Sequence, residues 1–161
     1  MRKVIVALLA MLLTCACSSI DCPVQNTVYT AYELRTLDET TDTLRDTMFV
    51  YSRRLDGSDT LLYNAGIGIT SFSLPIGYAN PEDTLFFLLF SRPDYAALDT
   101  VLIKKENIPH FESVDCSASF FHRLMAVRST HNAIDTIMIH KDFVDYDDQT
   151  AHFYIHFKNR R

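Results

Sequence analysis

Glycine, proline and tryptophan are scarce in this sequence, which has 4 Gly, 5 Pro and no Trp in 161 residues. So few glycines and prolines exclude a collagen-like or linker-like chain. Charged residues make up only 22% of the chain and hydrophobic residues 48%, a balance that excludes intrinsic disorder. The length is typical of a single domain with one hydrophobic core.

A surplus of basic residues is also missing, because 15 Lys and Arg stand against 20 Asp and Glu. Proteins that bind nucleic acid neutralise phosphates with Lys and Arg, so we predict no nucleic-acid partner. The chain has no G-x-S-x-G motif, no phosphate-binding glycine loop and no C-x-x-C spacing for zinc. These absences predict a protein that is not an enzyme and that needs no cofactor.

The N-terminus has the order of an export signal. Arg2 and Lys3 precede the apolar run 4–13, which is followed by T-C-A-C-S-S. An apolar run of this length extends only about 15 Å as a helix, about half of a membrane span, so a permanent transmembrane anchor is not expected. We predict that residues 1–16 are a signal peptide that is removed from the mature protein.

The cysteines that end this leader resemble the lipobox of bacterial lipoproteins, in which a small residue precedes a cysteine that is lipidated. Cys17 fits because Ala16 precedes it, although Thr14 stands where Leu is commonest. The resemblance implies that Cys17 carries lipid, that residues 17–25 form a short tether, and that residues 26–161 form the domain. The alternative is an ordinary secretory peptide that is cut near Ala16 and leaves Cys17 unmodified.

Two further cysteines, Cys22 and Cys116, remain in the mature chain. Outside the cytosol they can form a disulfide, which would close a loop of about 94 residues and stabilise the fold by about 4 to 5 kcal/mol. Two separate buried thiols are the alternative. The short spacing between Cys17 and Cys22 spans at most about 17 Å, so a bridged domain would lie close to the membrane.

Short segments rich in Val, Ile, Thr, Tyr and Phe follow the tether, and none repeats with the period of a helix. The Asp56-Gly57 pair between segments 48–51 and 60–63 is a strong hairpin signal. The uninterrupted apolar segment 85–90 predicts a central strand covered on both faces, with a subunit or partner interface as the alternative. We predict an all-β fold, a two-sheet antiparallel β-sandwich of about eight or nine strands.

Two groups of histidines are candidates for metal binding. His152 and His156 are four residues apart, which on a strand separates them by about 13 Å, too far to share one ion. We therefore predict that both are solvent-facing polar residues, although His140 on a neighbouring strand could approach one of them.

The densest polar segment is 109–116, and it is followed by His122. His110, Glu112 and His122 are candidate ligand-binding residues, since such side chains act as zinc ligands or as general acids and bases. Alternation along a strand splits the polar set between two faces. We predict a polar connection that carries the disulfide, with a metal-binding module or metal-dependent enzyme as the alternative.

Four segments, C-S-S-I-D-C-P, S-F-S-L-P-I, H-F-E-S-V-D-C and H-N-A-I-D-T-I, resemble a family of uncharacterised lipoproteins from Bacteroidota, a domain of unknown function. The resemblance runs from Cys17 to about Phe157. It implies an envelope lipoprotein with a shared β fold and without assigned site residues.

The tether adds an indication of location. Residues 18–20 lack the acidic run that often follows the lipidated cysteine of surface-exported lipoproteins in that group. We expect an outer-membrane protein whose domain lies on the periplasmic side. Its predicted function is non-enzymatic binding or scaffolding, with the membrane and an envelope protein as partners.

Overall fold

The fold is all-β, as expected, in a computed structural model that describes residues 27–91, 95–113, 115–147 and 149–158. The predicted leader, the tether, Cys17 and Cys22 lie outside the described residues. The strands, in chain order, are β1 Tyr29–Leu34, β2 Thr47–Arg53, β3 Asp59–Gly66, β4 Ser71–Pro75, β5 Glu82–Ser91, β6 Tyr95–His110, β7 Ser119–Ser129, β8 Ile134–Ile139, β9 Phe143–Val144 and β10 Phe153–Phe157.

The strands form two sheets, which confirms the predicted two-sheet architecture. One sheet has the order β4-β1-β10-β8 and the other has the order β3-β2-β5-β6-β7-β9. The described residues thus contain ten strands, not eight or nine. The strand pairs in the described residues are antiparallel as predicted, with one exception: β1 and β10 pair in parallel, with Tyr32 opposite Phe153. A parallel pair requires a crossover connection, and here the connection is the segment 35–152, which contains all the other strands.

The core lies between the two sheets and is centred on stacked aromatic rings. The Tyr32 ring lies between Phe72 and Phe153, with centroid distances of 4.8 Å and 4.9 Å. Phe87, from the six-stranded sheet, meets Tyr32 edge-on at 6.4 Å. Such aromatic pairs each add about 0.5–1.5 kcal/mol beyond the burial of their area, so this cluster fastens the sheets to each other.

Strand β5 occupies the central position that its apolar segment predicts, between β2 and β6. The prediction that segment 85–90 is covered on both faces is wrong. Alternate side chains point into the core and outward, so Leu85, Phe87 and Leu89 are buried whereas Phe86, Leu88 and Phe90 are half-buried or exposed. Only one face of each sheet in a sandwich packs on the other sheet. The side chains on the outer face pack against one another instead, as in the edge-to-face contact of Phe90 with Phe49.

The predicted hairpin between β2 and β3 is confirmed. Arg53 pairs with Asp59, and the turn closes with a hydrogen bond of 2.8 Å from the Arg54 N–H to the Ser58 carbonyl. Gly57 has a φ of 82°, a left-handed conformation that glycine adopts without steric cost.

The two ends of the sandwich are formed by different parts of the chain. At the N-terminal end, where the described chain begins, the Val28 carbonyl accepts a hydrogen bond from Ile76, and the Tyr78 ring stacks on Phe120. The β6–β7 connection lies at this same end, because β7 begins at Ser119 beside Phe120. The opposite end holds the ends of β1 and β10, the start of β8 and segment 35–46.

A buried carboxylate holds the crossover from β7 to β8. Asp99 is fully buried in β6, and its two carboxylate oxygens accept hydrogen bonds of 2.6–2.8 Å. The donors are the backbone N–H groups of residues 132–134 and the hydroxyl of Thr130. Burial alone would raise the pKa of Asp99, but these hydrogen bonds outweigh it and hold the pKa below its ordinary value.

Substituting Asp99 with Ala should destabilise the protein by about 3 kcal/mol, because several buried donors would lose their acceptor at once. Urea unfolding measures this free energy. The matched control is Asp59→Ala, which removes an exposed ion pair with Arg53 and should cost less than about 1 kcal/mol. Equal losses in the two variants would contradict the assigned role of Asp99.

Candidate functional site

Of the three candidate ligand-binding residues, only His110 and Glu112 lie together, at the N-terminal end of the sandwich. His110 donates from Nε2 to Glu112 Oε1 at 3.0 Å, and its ring stacks on Phe121 at 4.1 Å. Both side chains of the pair remain more than one third exposed. Beside them, the Tyr146 hydroxyl lies 2.9 Å from Ser119 Oγ. This cluster therefore consists of satisfied surface groups around an aromatic centre.

His122 lies on the other face of the same hairpin. It is buried, stands opposite Asn107 in the β6–β7 register, and donates from Nδ1 to Asn107 Oδ1 at 2.8 Å. His110 and His122 thus project to opposite sides of one sheet, and Glu112 cannot join them. In the part of the chain that the structure describes, no three His, Cys, Asp or Glu residues are placed to hold a metal ion.

Cys116 is half-buried in the β6–β7 connection and is not a free thiol. The predicted partner, Cys22, lies outside the described residues. The pairing of Cys22 with Cys116 therefore stays a prediction.

A buried ion pair lies next to His122. The Lys105 side chain is wholly buried, and its ammonium group lies 2.7 Å from Asp83 and 2.9 Å from the Asn80 carbonyl. The ion pair ties β6 to the start of β5, and the bond to Asn80 ties β6 to the segment that precedes β5. Burial and, second, the nearby charge of Lys105 lower the pKa of His122 from 6.5 to about 4. The imidazole is therefore neutral near pH 7.

We predict an acid-sensitive stability from His122. Between about pH 6.5 and pH 4 the unfolded chain binds a proton at this residue that the native protein does not bind. The free energy of unfolding should therefore fall by about 3 kcal/mol as the pH drops through this window. Urea titrations of the wild type, of His122→Gln and of the exposed control His140→Gln test this. The pH dependence should shrink only in His122→Gln, and an unchanged slope there would contradict it.

His152 departs from its predicted solvent-facing position. It is fully buried at the start of β10, and its Nδ1 accepts a hydrogen bond of 3.0 Å from the Ala31 N–H. That donor requires an unprotonated Nδ1, and burial followed by the charge of Lys141 lowers the pKa of His152. The expectation failed because His152 lies just before β10 and packs on β1, where both its backbone N–H and its ring are hydrogen-bonded to the Ala31 backbone.

His156 is also buried, which overturns its predicted exposure in the same way. Its relative exposure is 4%, and neither ring nitrogen has a hydrogen-bond partner. His140, the neighbour expected to approach one of these histidines, donates its backbone N–H to the His152 carbonyl at 2.8 Å, and its ring stacks on Tyr154 at 4.2 Å. Buried polar atoms without partners are rare in proteins, and Nε2 of His152 shares this property with both ring nitrogens of His156.

His156 is one of the residues that line a cavity of about 570 Å³ at the opposite end of the sandwich. We call this space the His156 cavity. Its charged walls come from segment 35–46, from the start of β8 and from the end of β10. The charged lining residues are Asp38, Asp42, Asp46, Asp135, Arg35, Arg45 and Lys158.

Two of the three cationic residues in these walls already bind protein acceptors. Arg35 lies 3.0 Å from Glu33, donates to the Glu39 carbonyl and covers the Tyr154 ring at 4.4 Å. Lys158 donates to the His131 carbonyl at 2.6 Å. The third, Arg45, is exposed, so the walls present charges of both signs.

Sequence reasoning missed this cavity. The acidic segment 38–46 carried a usable signal, because three of its nine residues are Asp and it lies between two strands. Its approach to His156 could not be read from the sequence, since 110 residues separate Asp46 from His156 and only the parallel pairing of β1 with β10 brings them together.

Residues 47–157 match the model of a family of unknown function (DUF6452). Neither a curated protein nor a solved structure matches the chain. Across the described residues, no helix has the length and apolar character needed to cross a membrane.

Proposed function

This chain belongs to the DUF6452 family, whose function is unknown, and we propose that it is a lipid-anchored, non-enzymatic binding module of the cell envelope. Cys17 carries the lipid, the N-terminal end faces the membrane, and the His156 cavity binds a ligand or an envelope protein. The domain lies on the periplasmic side of the outer membrane.

One observation carries this proposal: the described chain begins at one end of the sandwich and the cavity lies at the other. The Val28 carbonyl pairs with Ile76 at the N-terminal end, whereas Arg35 and Lys158 border the cavity. An anchor at Cys17 is at most about 35 Å of extended chain from residue 27. Lipidation would therefore present the cavity to the aqueous compartment.

Exposed aromatic side chains at the N-terminal end support its contact with a leaflet. Tyr78 and Phe111 are 63% and 66% exposed, and Tyr146 lies beside the His110 ring. Tyrosine rings, which combine an apolar body with a polar hydroxyl, are favoured at the headgroup level of a membrane, and the exposed Phe111 ring adds apolar surface beside them. A domain tethered by a short segment would place these side chains against the lipid.

The position of Cys116 supports the proposed disulfide. Cys116 lies in the connection whose flanking Phe120 stacks on Tyr78, close to the start of β1. Cys22 precedes Val28 by six residues, which span at most about 20 Å and so keep Cys22 close to this end of the sandwich. This bridge would fix the tether to the membrane-facing end.

We do not propose a metal-dependent function for His110, Glu112 and His122. His110 and His122 project from opposite faces of the β6–β7 hairpin, and each is hydrogen-bonded to a protein acceptor. The three side chains therefore cannot bind one metal ion together.

Intact mass spectrometry of protein extracted from membranes under non-reducing conditions tests the anchor. The mass should correspond to a chain that begins at Cys17, with acyl groups added and two hydrogen masses removed by the Cys22–Cys116 bridge. The matched control is Cys17→Ser, which should lose the acyl mass and leave the membrane fraction. An unmodified Cys17 in the wild type would refute the anchor, and the absence of the hydrogen deficit would refute the bridge alone.

Affinity capture from envelope membranes tests the binding role of the cavity. The wild type should recover a specific protein or small molecule, and the double variant Asp38→Asn/Asp135→Asn should lose it because the cavity loses two charges. Asp115→Asn removes an exposed carboxylate at the N-terminal end and should behave as the wild type. Equal recovery by all three proteins would place binding elsewhere on the domain.

A further inference from the structure

We propose that the outer face of the six-stranded sheet binds a second copy of this chain, so that the protein forms a symmetric dimer. The two copies pack face to face about a two-fold axis that runs between them, parallel to β5. Each outer side chain of β5 then lies opposite the same side chain of the second copy. This inference concerns a surface other than the His156 cavity and goes beyond the proposed binding role.

The outer face of the six-stranded sheet is apolar, whereas a sheet face in contact with water is normally polar. Phe90, Leu98 and Leu61 are 44%, 48% and 43% exposed. Six apolar side chains from four neighbouring strands project outward on this face, and they are Leu61, Phe49, Phe86, Leu88, Phe90 and Leu98. This is the surface that the apolar segment 85–90 offers as a subunit interface.

The outer face of the four-stranded sheet shows the contrast. Its outward side chains include Glu33, Ser71 and Ser73, and both serines are exposed. Monomeric proteins rarely expose contiguous apolar patches of more than a few hundred Å², and larger patches mark interaction sites. The difference between the two outer faces therefore indicates that the six-stranded sheet has a partner.

The size of the face suits a second copy. Its five strands from β3 to β7 are about 24 Å wide and its rows along β5 extend over about 20 Å, which gives about 480 Å² in projection. Projecting side chains raise the accessible area toward the roughly 800 Å² that each partner buries in a stable interface. The aromatic and uncharged centre of the face is also typical of the core of an interface.

The charges at the two margins of the face are complementary under the proposed symmetry. One register row carries Asp59 at the β3 margin, Thr84 in β5 and Arg128 at the β7 margin. Because β3 and β7 each lie two strands from β5, the two-fold rotation places Asp59 of each copy opposite Arg128 of the other. Both side chains are exposed, in ion pairs with Arg53 and Glu82 of their own copy, so the contact would join these pairs into a network.

The direction of the axis agrees with the proposed anchor. The strands run between the N-terminal end and the cavity end, so an axis parallel to β5 leaves both N-terminal ends on the same side. Two copies anchored in one leaflet can therefore pair, and their confinement to the leaflet raises their effective concentration. The face itself runs along the side of the sandwich, which points to a neighbouring protein and away from lipid.

Cysteine cross-linking tests the axis. In the full lipidated chain, Leu88→Cys should form a disulfide-linked dimer on treatment with copper phenanthroline, because each Leu88 lies opposite itself. The matched control is Ser73→Cys, which projects from the outer face of the other sheet and should stay monomeric on a non-reducing gel. The wild type reports the background from the native cysteines.

Sedimentation equilibrium measures the affinity of the dimer. The samples are the full lipidated chain in density-matched detergent and the Cys17→Ser chain without detergent. Leu88→Lys should weaken dimerisation about tenfold or more, because it places two unpaired like charges at the centre of the interface. Ser73→Lys, on the other sheet, should dimerise as the wild type.

Charge reversal at the margins decides the outcome even if Leu88→Lys fails to fold, since both positions are exposed. Asp59→Arg or Arg128→Asp alone should weaken dimerisation about fivefold or more, because each homodimer gains two like-charge contacts. An equimolar mixture of the two variants should dimerise as the wild type, since the mixed pair has opposite charges at both margins.

Several outcomes would overturn the proposal. These are a monomer at every concentration, equal cross-linking of Leu88→Cys and Ser73→Cys, or no rescue in the mixture of charge variants. Cross-linking of Leu88→Cys to a different envelope protein would assign the face to that protein. Vesicle binding by the Cys17→Ser chain that Leu88→Lys abolishes would assign the face to lipid. An unmodified Cys17 in the mass measurement would refute the anchor and leave the dimer result standing.

Discussion

The buried carboxylate of Asp99 is the interaction on which the rest of the structure depends. It belongs to the six-stranded sheet but accepts hydrogen bonds from residues 132–134, which lead into β8 of the four-stranded sheet. One side chain therefore joins the two sheets where the chain crosses between them. The crossover in turn holds the end of β10, because the Lys158 N–H donates to the Ala133 carbonyl. The walls of the His156 cavity are positioned by this sequence of contacts.

The sandwich is polarised along its strands. Aromatic rings, the β6–β7 connection and the start of β1 gather at the N-terminal end, whereas aspartates and a buried histidine gather at the opposite end. A pair of sheets gives two separate ends that need not share chemistry, so one end can lie against lipid while the other binds a ligand. The proposed anchor and the proposed binding role of the cavity use this separation.

Several features were predictable because they depend on neighbours in sequence. Alternating apolar residues predicted strands, and the Asp56-Gly57 pair predicted the β2–β3 hairpin, which the structure confirms. The failures involve long-range packing. Segment 85–90 was read as covered on both faces, and His152 and His156 as solvent-facing, because sequence alternation does not reveal which segments cover a sheet. His110 and Glu112 were correctly grouped, but His122 was not separated from them.

The sequence by itself determined the fold class, the hairpin and the central place of β5, because strand propensity and turn chemistry act within a few residues. Only the tertiary structure decided that the first and last described strands pair in parallel, that Asp99 reaches residues 130–134, and that His156 lines one cavity with aspartates from a distant segment. These contacts join residues tens of positions apart. Their formation depends on how the two sheets close over the core, which local sequence does not encode.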